Sequence, residues 1–386
     1  MLATLNWLKI SQAGSQMLSK LRHIRIQLDL RRELLRSRWS PQRLDETALG
    51  DIDDLARQQV TFWRERRLDK KSMCDELVSL SETHPSIFVL DISKGRVTVR
   101  KKRDLPVPSS VLSGYLRQYQ DFLNMSQERI RYYLCLLRSV SADLRQHDPI
   151  VLALDVNDIP IENDSVPIFS FQKTIGSPNI LVPDVDFFVW SWYRRVEDEI
   201  PYNEKTIKAG FIGSSTGIFV LKWVIEADLN LRLKAAKHFV NSELVDFKIA
   251  NAAQTDCAET KKFVESQPYF SKRAPLSAQL RNRFLISMDG NGVDCSRLAT
   301  ALKSRSALIK HESEFCLFYF PKLRNGRDLL TVSNFDEIER IVERERDSPG
   351  TYRAVAESGR EFFSRYLERD RVIAYTTLLL ERYAEL

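Results

Sequence analysis

Two segments in the second half of the chain, Phe211–Gly217 and Leu285–Arg297, constrain its fold more than any other feature. In each, a short apolar run predicts a buried strand, and a small polar turn and a predicted helix follow. Such strand–turn–helix junctions are where α/β proteins build anion sites, because backbone N–H groups converge there. Two of them in one half suggest a nucleotide-diphosphate ligand.

The rest of the second half alternates between predicted strands and helices, the rhythm of a Rossmann-like domain. Helices are predicted at roughly 216–238, 296–304 and 335–345 and over Ala354–Leu386, with a break at Asp370. The predicted strands are Lys208–Ile212, Leu244–Ile249, Arg283–Met288, Ala307–Lys310 and Leu329–Val332.

The first half begins with polar sequence whose apolar positions, such as Leu18, Leu21, Ile24 and Leu28, predict amphipathic helices. A hairpin is predicted next and is expected to precede the first domain, and a long helical stretch follows it. The hairpin strands are Ile87–Ile92 and Arg96–Arg100, the helical stretch is Ser109–His147, and three further strands are Ile150–Val156, Val166–Phe171 and Phe187–Trp192.

A chain of 386 residues, 43% of them hydrophobic, is too long for one ordinary core, so two main domains are expected. We predict a basic helical region over 1–85, an N-terminal Rossmann-like domain over 86–200, a C-terminal one over 201–350 and C-terminal helices over 351–386. The fold class is α/β.

The net charge of +6 comes from the N-terminal region, where residues 1–71 hold 15 Lys and Arg against 9 Asp and Glu. Such a segment forms either a solvated helical face or a contact with an anionic membrane. It contains no recognised nucleic-acid-binding motif, so no nucleic-acid partner is predicted.

Five scattered cysteines without a C-x-x-C pair support neither a disulfide framework nor a zinc site. His238 and His311 have no partners at metal-ligand spacing, and no metal is predicted. No stretch has the length and apolarity of a signal peptide or membrane span, so the expected location is cytoplasmic, with peripheral membrane contact as an option.

In the first turn, Gly213 and Gly217 bracket Ser214, Ser215 and Thr216. These hydroxyls and N–H groups suit either a phosphate or the cap of a helix. The residues Asp289 to Gly292, which tolerate positive φ, likewise suit an anion site or a tight turn. Arg297 favours an anion nearby, because a guanidinium gains nothing from the dipole at the start of a helix; a surface salt bridge is the alternative.

Further candidates lie at the ends of other predicted strands. Asp158 follows Ile150–Val156, where α/β folds place catalytic groups, and is either a general base or a loop residue. The charged cluster at Lys310–Glu314 either binds a sugar or nucleoside or is a solvated loop. Phe187 and Phe188 are expected in the core.

Taken in order, seven segments resemble glycosyltransferase family 90, whose members include protein O-glucosyltransferases of the Rumi type and fungal capsule-associated xylosyltransferases. The resemblance covers roughly residues 85 to 386. Its carriers are Asp155–Pro160, Val166–Thr174, Asp186–Trp192, Phe211–Gly217, Met288–Leu298, Leu302–Glu312 and Phe318–Leu323.

This resemblance implies a GT-B-like architecture, two Rossmann-like domains facing a cleft, and inverting sugar transfer without an obligatory metal or cofactor. It implies Asp158 as the general base, Arg297 as the arginine that binds the diphosphate, and a UDP-sugar as donor. The implied donor-binding residues are Gly213, Ser214, Ser215, Thr216, Gly217, Asp289, Gly292, Ser296, Arg297, Lys310 and Glu312.

The chain departs from the family at Ile212, where relatives usually carry arginine, and Lys208 or Lys310 could supply the missing cation. The expected acceptor is a lipopolysaccharide, capsular or related glycan or glycolipid. Two alternatives stay open: transfer of glucose or xylose to a protein Ser or Thr, and a non-catalytic nucleotide- or carbohydrate-binding relative.

Overall fold

The computed structural model describes residues 24–32, 34, 44–66, 68–93, 95–100, 113–142, 144, 149–194 and 197–386. The strands are β1 (Ile87–Ser93), β2 (Arg96–Val99), β3 (Ile150–Asp155), β4 (Ile168–Ser170), β5 (Lys173–Thr174), β6 (Ile180–Leu181), β7 (Thr206–Ser214), β8 (Val245–Asn251), β9 (Asn282–Ser287), β10 (Ala307–His311), β11 (Phe315–Cys316) and β12 (Leu330–Val332).

The helices are α1 (Glu46–Glu65), α2 (Lys70–Thr83), α3 (Ser113–Ser141), α4 (Asp186–Val189), α5 (Lys222–Glu226), α6 (Leu231–His238), α7 (Ala258–Glu265), α8 (Leu276–Gln279), α9 (Cys295–Lys303), α10 (Phe335–Asp347), α11 (Arg353–Phe362) and α12 (Arg369–Ala384). A π-helical turn, Phe363–Leu367, joins α11 to α12 close to the break predicted at Asp370.

The N-terminal sheet has the strand order β2-β1-β3-β4-β6. β1 pairs antiparallel with β2 and β3, whereas β3, β4 and β6 are parallel. The predicted hairpin is confirmed, and Gly95 in its turn has φ +71°, which glycine adopts without strain. The expectation that the hairpin precedes the first domain is wrong, because β1 pairs with β3 along Ile87–Ile92 and so lies inside that domain's sheet.

The C-terminal sheet has the order β12-β10-β9-β7-β8, and every neighbouring pair is parallel. The strands predicted for the second half of the chain are all present in it. In this doubly wound sheet, β8 is added on one side of β7, and β9, β10 and β12 are added on the other. The strand order therefore reverses between β7 and β9, and ligands of such sheets bind beyond the carboxyl ends of the strands at that point. Both candidate turns follow these two strands.

Strand pairing and hydrogen bonds from α12 are among the contacts that join the halves of the molecule. β5 of the N-terminal half pairs antiparallel with β11 of the C-terminal half. The Tyr375 and Tyr383 hydroxyls of α12 donate to the carbonyl oxygens of Leu181, at 2.7 Å, and Val151, at 3.0 Å, both in the N-terminal sheet. The two sheets and their surrounding helices confirm the α/β, GT-B-like fold class.

The strand predicted at Phe187–Trp192 is wrong. The chain instead forms the short helix α4 and then turns through Ser191 at φ +49°. Phe187 and Phe188 are buried as predicted, with their rings edge to face and 5.2 Å between centroids. Periodicity misassigned this run because a short apolar stretch gives the same pattern in a buried helix and a buried strand.

The helix predicted over 216–238 is wrong at its start. Residues 216–221 are not helical, and α5 begins only at Lys222. Val220 forms a parallel bridge with Thr255 and donates to Gln254 O at 2.8 Å, which keeps the chain extended beyond the first turn. The first turn therefore does not lie at a helix N-terminus.

Only the later part of the predicted region 1–85 is described, and Leu18 and Leu21 lie outside it. Ile24 and Leu28 are exposed by 53% and 47%. The amphipathic pattern is clearer in α1, whose apolar side is buried against α12. None of the described helices is both long and apolar enough to span a bilayer.

Candidate active site

Asp158 lies in the loop after β3, which is shaped by a neighbouring buried aspartate. The Asp155 carboxylate accepts from Asn157 N–H at 3.0 Å and from Ile161 N–H at 2.7 Å. Asp158 Oδ1 pairs with Arg129 Nη1 at 2.7 Å, and the Asp158 side chain is 26% exposed. The loop thus holds a partly accessible carboxylate in a fixed direction.

Behind this carboxylate, Arg129 faces two further acids, Asp184 and Asp186. Burial raises the pKa of Asp184, and burial together with the Asp184 charge raises the pKa of Asp186 to about 7. Burial opposes the charge of Arg129, but the charges of Asp158 and Asp184 outweigh it and raise the pKa of that guanidinium. A permanent cation therefore stands beside Asp158.

In the first turn, Ser214 and Ser215 are used mainly to hold the turn itself. Ser215 is fully buried; its N–H donates to Asn251 O and its hydroxyl to Ala253 O, both at 3.0 Å. The Ser214 hydroxyl accepts from Asn251 Nδ2 at 3.2 Å. These bonds tie the turn to the end of β8 and leave its later residues facing solvent.

The two glycines of this turn serve different needs. A Cβ on Gly213 would lie 2.7 Å from the Phe211 ring, so close packing requires glycine there. Gly217 has φ +134°, a conformation that side chains rarely permit. Its exposed N–H group is shared by Gln254 Oε1 at 3.3 Å and Asn291 Oδ1 at 3.2 Å.

The second turn is compact and lies between the two halves of the molecule. Gly290 N–H donates to Gly292 O at 2.9 Å. A Cβ on Gly290 would lie 2.5 Å from Thr216 Oγ1, and one on Gly292 would overlap the Gln172 amide. Neither glycine has positive φ, so close packing, and not backbone conformation, explains both.

Asp289 opens the second turn and connects it to β10. Its Oδ1 pairs with the buried Lys310 ammonium at 2.6 Å, and its Oδ2 accepts from the Ser313 hydroxyl. Lys310 and the exposed Glu312 line a cavity of about 570 Å³ that Ile175 of the N-terminal half also borders. This volume is in the range of small-molecule sites.

Arg297 lies in the first turn of α9, and its charge is already paired. Its Nε donates to the N-cap residue Asp294 at 2.9 Å, Nη1 to Gln279 Oε1 at 2.7 Å and Nη2 to Ile212 O at 2.8 Å. Two of the five guanidinium N–H groups have no hydrogen-bond partner among the described residues, and the side chain is 11% exposed. Ser296 precedes it on the partly exposed side of the same turn. The salt bridge that was the alternative explanation for Arg297 is therefore present, and its acid is Asp294.

Arg232 is a residue that sequence analysis missed. Its buried guanidinium donates to Met288 O at 2.7 Å, to Ser214 O at 3.1 Å and to Thr216 Oγ1 at 2.8 Å, and it pairs with Asp294 at 3.2 Å. Burial alone would raise the pKa of Asp294, but Arg297 and Arg232 outweigh it and lower that pKa. Arg232 thereby fixes the two turns to each other. No sequence motif singles out this residue.

His238 has partners that sequence spacing did not reveal. His238 on α6 and Asp336 and Glu339 on α10 offer ligand atoms within 4.8 Å of one another. This grouping lies at the surface and shares no residue with the turns.

The site as a whole forms where the two halves meet. Asn291 Nδ2 donates to Asp158 Oδ2 at 3.1 Å, and Gln172 Oε1 accepts from Val293 N–H at 2.8 Å. Asp158 therefore faces the second turn across the cleft, with Gly217 on the far side of Asn291. A carboxylate and a backbone N–H group on opposite sides of one position can hold two substrates between them.

Comparison with known proteins gives a family. The model of "Glycosyl transferase family 90" matches residues 90–386. A solved structure entitled "Crystal structure of GtfA/B complex" is similar at 17% identity over 49% of this chain and 38% of that chain, with a TM-score of 0.29. No curated protein matches. Because the family model spans both sheets, both turns and Asp158, the chain belongs to glycosyl transferase family 90.

Proposed function

We propose that the protein is an inverting glycosyltransferase that moves glucose or xylose from a UDP-sugar to a hydroxyl of a lipopolysaccharide, capsular or related glycan. The observation that carries this proposal is the approach of Asp158 to the second turn, 3.1 Å from Asn291 Nδ2. A base on one half and a diphosphate site on the other are what attack from the face opposite the leaving group requires.

In this mechanism, the acceptor oxygen attacks C1 of the sugar while its proton passes to Asp158. The bond from C1 to the phosphate oxygen breaks, and its electron pair leaves with UDP. Gly217 N–H and the two remaining N–H groups of Arg297 would stabilise the charge that develops on UDP. In this proposal these N–H donors act on the departing UDP without an obligatory metal ion. Arg129 keeps the Asp158 carboxylate oriented.

The cavity beside Lys310 is the proposed binding site for the nucleoside. Its apolar border includes Phe315, Phe320 and Leu323, and Glu312 offers a carboxylate for ribose hydroxyls. Lys310 joins this cavity to the second turn through Asp289. A uridine there would leave its diphosphate near the two turns and the sugar near Asp158. A glycolipid acceptor would suit a basic N-terminal region that contacts anionic membrane.

The test is UDP release from a panel of UDP-sugars, with and without glycan acceptors, by wild type and Asp158→Asn. We expect release to fall by about 10²- to 10⁴-fold, the usual contribution of a general base. Asp164→Asn, an exposed residue of the same loop, is the matched control. Release that survives the substitution at Asp158 undiminished would refute the base assignment.

A further inference from the structure

Asn291 occupies two hydrogen-bonding positions that the proposed reaction needs. Its Oδ1 accepts from Gly217 N–H at 3.2 Å, and its Nδ2 donates to Asp158 Oδ2 at 3.1 Å. The opposite amide orientation would point Nδ2 at an N–H donor and Oδ1 at a carboxylate, so the chemistry of its neighbours fixes the orientation.

The flanking residues hold Asn291 in this place. Gly290 and Gly292 bring the turn against Thr216 on one side and Gln172 on the other, with no room for a Cβ at either position. The Gln172 side chain donates to Asp158 O and accepts from Val293 N–H. Asn291 is thus the one side chain at the tip of a turn that is fixed from both halves.

Each end of the amide imitates one substrate. A phosphate oxygen of the donor would accept from Gly217 N–H as Oδ1 does now, and the acceptor hydroxyl would donate to Asp158 as Nδ2 does now. We infer that Asn291 is a positioning residue that blocks Asp158 until the donor diphosphate displaces its amide from Gly217, so that donor binding makes the base available. This inference rests on the proposed function.

The inference predicts a loss of coupling in Asn291→Ala. Without the competing amide, UDP should bind about two- to tenfold more tightly, the scale of one neutral hydrogen bond. Hydrolysis of UDP-glucose or UDP-xylose without acceptor should rise several-fold, because water can then donate its proton to Asp158 as its oxygen attacks C1 and UDP departs. The double variant Asn291→Ala/Asp158→Asn should abolish that hydrolysis.

Gln254→Ala is the matched control, because Gln254 Oε1 also accepts from Gly217 N–H, at 3.3 Å. Within the described part of the chain, the Gln254 side chain makes no hydrogen bond to Asp158. It should tighten UDP binding without raising hydrolysis. Calorimetry with UDP and an assay of UDP release measure the two effects, and a thermal melt shows whether each variant is folded. Asn291→Ser provides a second variant should Asn291→Ala not fold.

The outcomes separate this inference from the function beneath it. If wild type binds no UDP, the donor assignment fails. If wild type binds UDP and Asn291→Ala shows unchanged affinity and hydrolysis, the coupling is refuted. Weaker UDP binding by Asn291→Ala would make Asn291 a donor ligand and would also overturn the inference.

Discussion

The two turns after β7 and β9 have similar compositions and different construction. The first leads into extended chain and needs Gly217 for its φ of +134°. The second leads into α9 and needs Gly290 and Gly292 because other groups press against them. Glycine-rich sequence therefore indicates a tight turn without saying whether conformation or packing requires the glycine.

Arg232 bonds to both turns, so its removal should have the largest effect on them. Arg232→Ala removes bonds to both turns and leaves Asp294 buried with only Arg297. We expect a loss of about 3–5 kcal/mol in the free energy of unfolding, the usual cost of removing one partner of a buried ion pair. Urea denaturation measures it. Arg327→Ala is the control, because Arg327 also pairs with an aspartate, Asp328, but its own side chain is 60% exposed. An equal loss of stability in the two variants would contradict the role of Arg232.

Arg297 contacts the same carboxylate but keeps two N–H groups available. Arg297→Ala should weaken UDP binding by about 1–3 kcal/mol, the scale of a charge-assisted contact. Calorimetry with UDP checks this value, and Arg297→Lys should recover part of it because the charge remains without the guanidinium geometry. Unchanged UDP affinity in folded Arg297→Ala would show that its partners within the protein are its whole role.

The smallest changes in stability are expected at the glycines of the two turns, where they distinguish backbone conformation from close packing. Gly217→Ala and Gly292→Ala should each cost about 1–3 kcal/mol of stability, the first through backbone strain and the second by displacing Gln172 from its bonds. Adding Gln172→Gly should change the cost of Gly292→Ala and leave that of Gly217→Ala unaltered. Thermal and urea unfolding of the single and double variants measure this coupling. Additivity in both pairs would contradict the distinction.

Sequence predicted the parallel sheet well, because its strands are either short apolar runs, as in β9, or alternating apolar and polar residues, as in β8. It failed where the environment decides. Phe187–Trp192 is a short, mainly apolar run that fits a helix as well as a strand, and residues 216–221 stay extended through pairing at Val220. It singled out Asp158 and both turns, whose roles remain predictions.

The residues that connect the candidate site could not be predicted. Arg232 and Asn291 act through partners that are 56 and 133 positions away in the sequence, Met288 and Asp158. Such contacts leave no spacing pattern. Close approach also explains Gly292, since the Gln172 amide that excludes a side chain there comes from the other half of the molecule.

The crossing of α12 has a consequence for how the protein is made. This helix is synthesised after the strands of both sheets, yet Arg382 pairs with Asp53 at 2.7 Å and Tyr375 bonds to Leu181, both in the N-terminal half. During translation the N-terminal core therefore lacks its contacts with α12 until all strands of the parallel sheet have been synthesised. Contacts of such long sequence separation slow folding, and an unfinished core exposes apolar surface that chaperones recognise and aggregation exploits.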